Sequence, residues 1–245
     1  MKTTLRRALG AFLLAPALAA AVPALADDAP AGTTQSGGKW PEGKWQVKVL
    51  ATAVLANGKI GAVESIDPSL AALAPFAAPQ TFASNNPFTP TLAVEYFFTK
   101  NISVETIAGI TAHHVNGRDS LDGTNLVNHI LIVPATVTVK YHLPLGPIRP
   151  YVGVGPTWFI VTGGRPGDTS SALGVTRNTL TSNPGIATQA GVDIPIGKTP
   201  FSLALDAKKY WVDTKVRFFA GSADVLTTRL KLDPWVLSAG VGYRF

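Results

Sequence analysis

The chain of 245 residues contains no cysteine. Disulfides are therefore excluded, and so is a lipid anchor attached through a cysteine behind an export signal. Charge is also scarce, because Lys, Arg, Asp and Glu make up 15% of the residues, against about 25% in typical soluble domains. Hydrophobic residues make up 46%. An exported chain of this composition needs a large core or a closed barrel to hold it together.

Long apolar runs and basic clusters are missing beyond the N-terminal segment. A membrane-spanning helix needs about 20 consecutive apolar residues, and no such run follows residue 26. Lys2, Arg6 and Arg7 account for three of the 21 basic residues, so the rest of the chain carries 18 basic against 15 acidic residues, a net charge of +3. This mild charge predicts no nucleic-acid partner.

The N-terminal segment predicts a secretory signal peptide over residues 1–26. It has a basic start, an apolar stretch at 8–22 and a small-x-small cleavage site at Ala24-Leu25-Ala26. The alternative, an uncleaved anchor, needs a longer apolar run. Residues 27–39 have the composition of a flexible periplasmic leader. An exported, apolar, charge-poor chain without a spanning helix is typical of a transmembrane β-barrel.

Within the last fourteen residues, positions 235–245 alternate between two unlike faces. One face is apolar with aromatic residues at both ends, namely Trp235, Leu237, Ala239, Val241, Tyr243 and Phe245. The other face is small or polar. A period of two predicts a strand, and aromatic ends with aliphatics between them are typical of a strand that faces lipid. The alternation alone also fits the last strand of a soluble β-sandwich.

Seven further segments read as strands, joined alternately by long loops and short turns. The eight predicted strands lie at 45–56, 91–99, 102–115, 131–143, 149–162, 185–194, 201–217 and 227–245. This pattern predicts an all-β fold over residues 40–245, an eight-stranded antiparallel up-and-down transmembrane β-barrel in the cell outer membrane. The short turns at Lys100-Asn101, Leu145-Gly146 and Gly197-Lys198, together with both termini, are then periplasmic. A sandwich is not expected to segregate long and short connections in this way.

Polar residues on the strands must point inward, because a charge at the lipid midplane costs about 2–4 kcal/mol. Both signs of charge are present, so pairing across the lumen can offset desolvation. These side chains either fill a narrow barrel or take part in conduction. The predicted lumen set is Glu95, Glu105, Lys140, His142, Asp193, Asp206, Lys208 and Arg244.

Signals for catalysis or cofactor binding are weak. His113, His114 and His129 have no acidic or thiol partner at a ligand spacing, which argues against a metal site. No G-x-S-x-G nucleophile motif occurs. We therefore predict no enzymatic activity, no cofactor and no metal.

Two prolines fall inside predicted strands four and five. Pro134 and Pro156 each remove a donor from the sheet ladder, and pairing about the Pro-Leu-Gly-Pro turn brings the two breaks close together. One hypothesis is a weakened seam in the outer-leaflet half of the wall, through which an apolar solute leaves the lumen sideways. The alternative is that the prolines merely block unwanted pairing.

Several stretches, in order, resemble the OmpW family of small outer-membrane proteins, which includes AlkL-type proteins. They are PATVTVKYHL (134–143), RPYVGVGPTWF (149–159), QAGVDIPI (189–196), LDAKKYWVDT (205–214) and KLDPWVLSAGVGYRF (231–245). The resemblance implies a monomeric barrel with a narrow, partly hydrophobic channel that is open to the outside. It also implies that Leu55, Trp158 or Phe159 lines or gates the mouth. Tyr243 and the terminal Phe245 resemble the insertion signal of outer-membrane barrels.

Two functions remain open at this stage. Family members are implicated in uptake of small apolar molecules, and some serve as colicin receptors. The first prediction is therefore a channel for passive uptake of small hydrophobic solutes. The second is a structural or interaction barrel, such as a receptor or a stress-related surface protein, that acts through its loops. The expected partners in either case are outer-membrane lipid, lipopolysaccharide and the barrel-assembly machinery.

Overall fold

The computed structural model describes residues 43–55, 57–69, 81–83, 88–117 and 123–245, and the predicted signal peptide and leader lie outside them. No helix among these residues is long and apolar enough to cross a membrane. The elements are β1 (Trp45–Leu55), β2 (Asn57–Ile66), β3 (Thr81–Ala83), β4 (Thr89–Phe97), β5 (Ile102–Gly109), β6 (Thr111–Gly117), β7 (Asn125–His142), β8 (Arg149–Pro166), α1 (Asp168–Ala172), β9 (Arg177–Ser182), β10 (Pro184–Pro195), β11 (Phe201–Trp211), β12 (Asp213–Ala220), β13 (Ala223–Lys231) and β14 (Trp235–Arg244).

The half of the sheet that carries both barrel termini and the short turns, which is the predicted periplasmic half, closes on itself. The ring runs β1, β4, β5, β7, β8, β10, β11, β14 and back to β1, and each neighbouring pair is antiparallel. The last strand closes the ring, with Gln46 opposite Arg244 and Leu55 opposite Trp235. The predicted eight-stranded antiparallel barrel is therefore confirmed.

The strands extend further on the side away from the termini than the sequence pattern predicts. Residues 163–184, predicted to be a long loop, contain the end of β8, helix α1 and β9. The predicted loop near residues 219–226 is a tight turn, in which Ala220 pairs with Ala223 and Gly221 adopts a positive φ of 62°. Ladder hydrogen bonds continue past the apolar band because backbone groups need partners whatever the polarity of their side chains.

The outer face of the ring is apolar and bounded by aromatic residues at both ends. Trp158, Trp211 and Trp235 are exposed towards one end, on β8, β11 and β14. In the ladder register each is offset by two residues from the next, as strand tilt requires. The opposite end carries exposed Trp45, Tyr141, Phe201, Tyr243 and Phe245. An apolar band between two aromatic girdles is typical of a transmembrane barrel.

The adjacent residues Lys208 and Lys209 lie on opposite faces of β11. Lys208 is buried in the lumen, whereas Lys209 points outward near the upper tryptophans. The Lys209 ammonium donates a hydrogen bond to the backbone carbonyl of Asp233 and lies 5.4 Å from the ring centre of Trp235. Its long stem therefore carries the charge to the membrane boundary, where desolvation is slight.

Trp158 is expected to behave as a lipid-facing residue. We expect the fluorescence of a variant that keeps Trp158 as its sole tryptophan to be quenched strongly by lipids brominated near the headgroup, because the side chain is 54% exposed on the outer face. A variant that keeps a tryptophan in place of Phe159, which is 5% exposed in the lumen, is the matched control and should be quenched weakly. Equal quenching of the two would contradict this orientation.

Candidate functional site

The periplasmic half of the lumen is filled by a buried network of ion pairs. The Lys140 ammonium lies 3.0 Å from Glu95 Oε2 and 2.9 Å from Glu105 Oε2. Lys48 binds the same two carboxylates at 2.9 Å and 3.3 Å. All four side chains are at most 2% exposed. Two lysines shared by two carboxylates across the lumen join strands β1, β4, β5 and β7 into one polar layer, which we call the charged floor.

Further residues extend the charged floor across the barrel. Lys208 lies 2.5 Å from Asp206 and 3.2 Å from Glu105. The Tyr151 hydroxyl donates to Asp206 Oδ2 at 2.8 Å, and the Lys140 ammonium lies 3.7 Å above the Tyr151 ring. Neighbouring polar groups in this layer therefore hold one another at hydrogen-bonding distances across the interior of the barrel.

His142 and Ser103 complete the floor beneath Glu95. The His142 Nε2 atom lies 2.8 Å from both Ser103 Oγ and Glu95 Oε1, and Ser103 donates to Glu95 at 2.5 Å. A catalytic triad needs the carboxylate on the ring nitrogen opposite the hydroxyl. Here the Ser103 hydroxyl and the Glu95 carboxylate both contact His142 Nε2. The cluster therefore contains the residue types of a hydrolase triad but does not have its geometry.

Two arginines lie at the periplasmic end. The guanidinium carbons of Arg149 and Arg244 lie 4.7 Å and 3.7 Å from the Phe97 ring centre. Arg149 donates to the Lys100 carbonyl, and Arg244 Nε donates to the Gly43 carbonyl at 2.8 Å. The first contact ties β8 to the turn between β4 and β5, and the second ties the end of β14 to the residues before β1.

Above the charged floor the lumen is an apolar chamber. Its cavity volume is about 110 Å³, several times the roughly 10–15 Å³ that one water molecule needs on the same measure. Phe159 and Tyr210 pack with their ring centres 5.3 Å apart at its side. Lys208, which belongs to the charged floor, also lines it. The chamber is otherwise lined mainly by aliphatic residues, among them Leu50, Val54, Ile107, Ile130, Ile132, Val161, Leu180, Leu230, Leu232 and Val236.

Among the described residues, the wall of the chamber is unpaired between β8 and β9. The outer part of β8 pairs with β7, and β9 pairs with β12, but no ladder joins β8 to β9 among the described residues. Gly163 and Gly164 adopt positive φ angles of 77° and 94°, which turns the β8 edge out of ladder geometry. Val161 on β8 and Leu180 on β9 both line the chamber. We call this unpaired boundary the lateral slit.

Asn178 lies beside the lateral slit. Its side chain is 5% exposed, and neither amide atom has a hydrogen-bond partner within the described part of the chain. A Cβ atom built on Gly164 would lie 3.3 Å from the Asn178 amide nitrogen. The two strands therefore pack closely at this point without hydrogen bonds between them.

All eight predicted lumen residues lie inside the barrel. Seven of them are buried, and Arg244 is partly exposed at the periplasmic end. Parity also indicates Lys48 and Tyr151, which the prediction omitted although Lys48 shares a face with Gln46 and Thr52. The side chains of His113, His114 and His129 lie outside the described residues, so the absence of a metal site there stays a prediction. Elsewhere in the described chain no group of three potential metal ligands occurs.

The predicted gate residues divide between the two faces. Phe159 lines the chamber, but Leu55 and Trp158 point outward, with exposures of 51% and 54%. Their assignment to the channel mouth is therefore wrong. The physical reason is the alternation of the strand, because Trp158 and Phe159 are neighbours and only one of them can face the lumen.

The seam at Pro134 and Pro156 stays a hypothesis, and the described wall also has an unpaired edge elsewhere. Pro134 pairs with Phe159, and the ladder between β7 and β8 is interrupted at residues 137–138 and 155–156 before it resumes. Pro156 pairs with Ile186 on the other side. One missing donor removes one ladder bond, and the pairing on both sides keeps these strands together. The lateral slit lies between β8 and β9.

The sequence profile of the OmpW family matches residues 41–245. The chain belongs to the OmpW family. As an OmpW-family protein it is an outer-membrane barrel, which confirms the predicted location.

Among relatives of this OmpW-family barrel, the outer-membrane protein y4mB of Sinorhizobium fredii is 28% identical over 241 residues, which cover 97% of this chain and 94% of that one. The crystal structure of OprG from Pseudomonas aeruginosa superimposes with a TM-score of 0.63 at 22% identity, covering 85% of this chain and 98% of that one. The solid-state NMR structure of AlkL in lipid bilayers superimposes with a TM-score of 0.64 at 21% identity, covering 90% of this chain and 97% of that one. The two structural likenesses establish the fold.

Proposed function

We propose that this barrel is a passive channel that admits small hydrophobic molecules from the cell surface and releases them sideways into the outer membrane. The observation that carries the proposal is the apolar chamber, which lies between a charged floor and the lateral slit. An apolar solute gains free energy in the chamber, at about 25 cal/mol for each Å² of apolar surface removed from water.

The direction of exit follows from the relative cost of two routes. Passage through the floor would separate buried ion pairs such as Lys140 with Glu95 and Glu105, and each such break costs about 3–5 kcal/mol. The lateral slit has no ladder hydrogen bonds to break. An apolar solute that leaves there also reaches lipid without crossing water. A sideways route is therefore favoured over a straight one.

Uptake by intact cells tests the channel itself. A strain whose lipopolysaccharide leaflet slows apolar solutes is expected to accumulate n-octane faster when it produces this barrel. The control is the same strain producing a barrel with the chamber filled by Val161→Trp. In planar bilayers the purified protein is expected to pass almost no ion current, because the charged floor closes the lumen. Unchanged uptake would contradict the proposal.

A crosslink across the lateral slit tests the exit. The chain has no cysteine, so the double variant Val161→Cys, Leu180→Cys can be joined specifically by a short bis-maleimide. Crosslinking is expected to lower octane uptake at least about tenfold, because it holds the unpaired edges together. The matched control is Val54→Cys, Val236→Cys, which also lines the chamber but joins residues already opposite each other in a ladder. Uptake that survives the first crosslink would exclude the lateral route.

The runner-up function is a structural or interaction barrel that acts through its outer loops. At the end of the barrel away from the termini, helix α1 and the paired ends of β12 and β13 form an ordered surface. This function would be favoured if neither the crosslink across the lateral slit nor Val161→Trp lowered octane uptake, and if deletion of the protein changed a property of the cell surface. We also propose that the protein acts without catalysis and as a monomer.

Assembly is proposed to depend on the C-terminal residues. Tyr243 and Phe245 are exposed on the outer face with their rings 5.8 Å apart. The Phe245 backbone exchanges hydrogen bonds with Trp45 at 2.8 Å and 3.0 Å. Both side chains are thus free to meet the barrel-assembly machinery before closure and lipid, including lipopolysaccharide, afterwards.

A further inference from the structure

The two ends of the barrel expose different charges. At the end that carries the termini, the exposed lysines Lys44, Lys100 and Lys198 form no ion pair with any described residue. The opposite end mixes both signs, as in the pair of Lys215 with Glu64. The described segments at the first end contain no Asp or Glu side chain, and they are residues 43–45, 97–102, 141–149, 195–201 and 243–245. An anion that approaches this boundary therefore meets exposed lysines and no acidic side chain.

This rim stays positive when the charges around it are counted. The carboxylate of Phe245 subtracts one charge from the three exposed lysines, which leaves +2. The lumen layer behind the rim holds five Lys and Arg side chains and four carboxylates, so it adds no excess of negative charge. These side chains are Lys48, Lys140, Lys208, Arg149 and Arg244, and Glu95, Glu105, Asp193 and Asp206. A negatively charged ligand is therefore attracted to this end of the barrel.

Two of the lysines flank the end of β14 at the level of the lower aromatic residues. Lys44 directly precedes Trp45 at the start of β1, which pairs with one side of β14. Lys198 lies three residues before Phe201 at the start of β11, which pairs with the other side. Two strand spacings place the backbones of these lysines about 10 Å apart, a span that two long side chains can bridge around one phosphate. Aromatic side chains of a membrane girdle lie at the depth of the lipid headgroups, so the lysines do as well.

The lipid-facing wall next to these lysines contains a shallow apolar groove. Ala51 on β1 lies opposite Ala239 on β14 in the ladder, so two methyl groups form its floor. The larger side chains of Val49, Phe88 and Val241 stand around it. A second depression shares Ala239 and Val241 and continues over β10 and β11. The wall is therefore recessed across the strands that end at the two lysines.

The depth of the groove matches one lipid leaflet. Ala51 lies six residues beyond Trp45 on β1, which is about 20 Å of strand and about 15 Å of depth at the usual strand tilt. Half of the hydrocarbon core is also about 15 Å thick. An acyl chain whose phosphate lies at the lysines therefore reaches the floor of the groove.

We propose that the outer face of β10, β11, β14 and β1 binds an anionic phospholipid of the inner leaflet. Its phosphate lies between Lys44 and Lys198, and an acyl chain lies in the groove over Ala51 and Ala239. Phosphatidylglycerol has this chemistry, because its headgroup carries a net negative charge above two acyl chains. Phosphatidylcholine has the same chains, but its choline cation faces the lysines and offsets the attraction of its phosphate. The site lies on the outside of the wall and is independent of any solute in the chamber.

Native mass spectrometry of the purified barrel in detergent tests the headgroup site. Dioleoyl phosphatidylglycerol and dioleoyl phosphatidylcholine are titrated separately, and the Kd of the first bound lipid is measured for each. We expect wild type to bind phosphatidylglycerol about tenfold more tightly than phosphatidylcholine. The double variant Lys44→Gln, Lys198→Gln is expected to lose most of this preference, at about fivefold for each lysine, and to bind phosphatidylcholine as wild type does. The matched control is Lys215→Gln, Lys231→Gln, which makes the same change of charge at the opposite end of the barrel.

A filled groove tests the acyl-chain site. Ala239→Trp is expected to weaken both lipids about threefold or more, because the indole takes the place of the chain contacts. Ala190→Trp adds the same side chain at an exposed position of β10 outside the groove and should change neither lipid. Equal affinity of wild type for the two lipids, or equal effects of the two lysine pairs, would overturn the proposal. Equal effects of the two tryptophan variants would overturn the groove as the place of the chain.

Discussion

Replacing Lys140 with methionine is expected to lower the free energy of unfolding by about 3–5 kcal/mol. The Lys140 side chain is fully buried and lies between Glu95 and Glu105. Methionine has a similar unbranched side chain but removes the charge and the N–H donors that bind the two carboxylates. The two carboxylates then remain in a low-dielectric interior with fewer cations, and an uncompensated buried charge is far more costly than the ion pair is stabilising.

Urea unfolding in lipid vesicles, followed by tryptophan fluorescence, measures this change. The matched control is Lys215→Met on β12. Lys215 lies 2.6 Å from Glu64, and hydrogen bonds from Lys215 and then from Arg229 hold the pKa of Glu64 below its ordinary value. This pair lies on the outer surface beyond the upper tryptophans, where solvent screens it, so little change is expected. Equal effects of the two substitutions would mean that the charged floor is hydrated and not sealed.

Replacing Gly240 with valine is expected to prevent barrel closure in most molecules, at a cost of about 3 kcal/mol or more. A Cβ atom on Gly240 would overlap the carbonyl oxygen of Val49 and lie 2.8 Å from Leu50 Cα. These atoms belong to the β1 backbone, directly across the ladder that joins the first strand to the last. They cannot move away without opening that ladder.

The folded fraction after refolding measures this effect, since folded barrels migrate differently from unfolded chains in unheated SDS gels. Ala239→Val is the matched control, because Ala239 is adjacent in sequence and points outward. It adds a larger side chain towards lipid and should leave folding intact. Normal closure of Gly240→Val would show that β1 and β14 can separate locally, and would place a second weak edge in the wall.

The alternation of apolar and polar residues along single strands predicts which side chains face the lipid and which face the lumen. The apolar parity of residues 235–245, for example, lies on the outer face as expected, from Trp235 to Phe245. The same rule identifies Glu95, Lys140 and Lys208 as lumen residues, because exclusion of charge from lipid acts on each residue separately. Where the phase of a strand was read loosely, as at Trp158 and Phe159, the assigned face was wrong for one of the two.

Relations between strands were not predictable in the same way. The prolines suggested a break between β7 and β8, and the wall is also unpaired between β8 and β9, where Gly163 and Gly164 turn the strand edge. Nothing in the local pattern of 177–182 distinguishes a strand with one neighbour from a loop.

The sequence by itself determined the class of the molecule, its membrane and the inward or outward direction of most strand residues, because these follow from the period of the strand and the cost of charge in lipid. Only the tertiary structure decided how the lumen is divided into a charged floor and an apolar chamber, and where the wall is unpaired. Those features depend on register and stagger around a closed ring, which bring together residues that lie far apart in the chain.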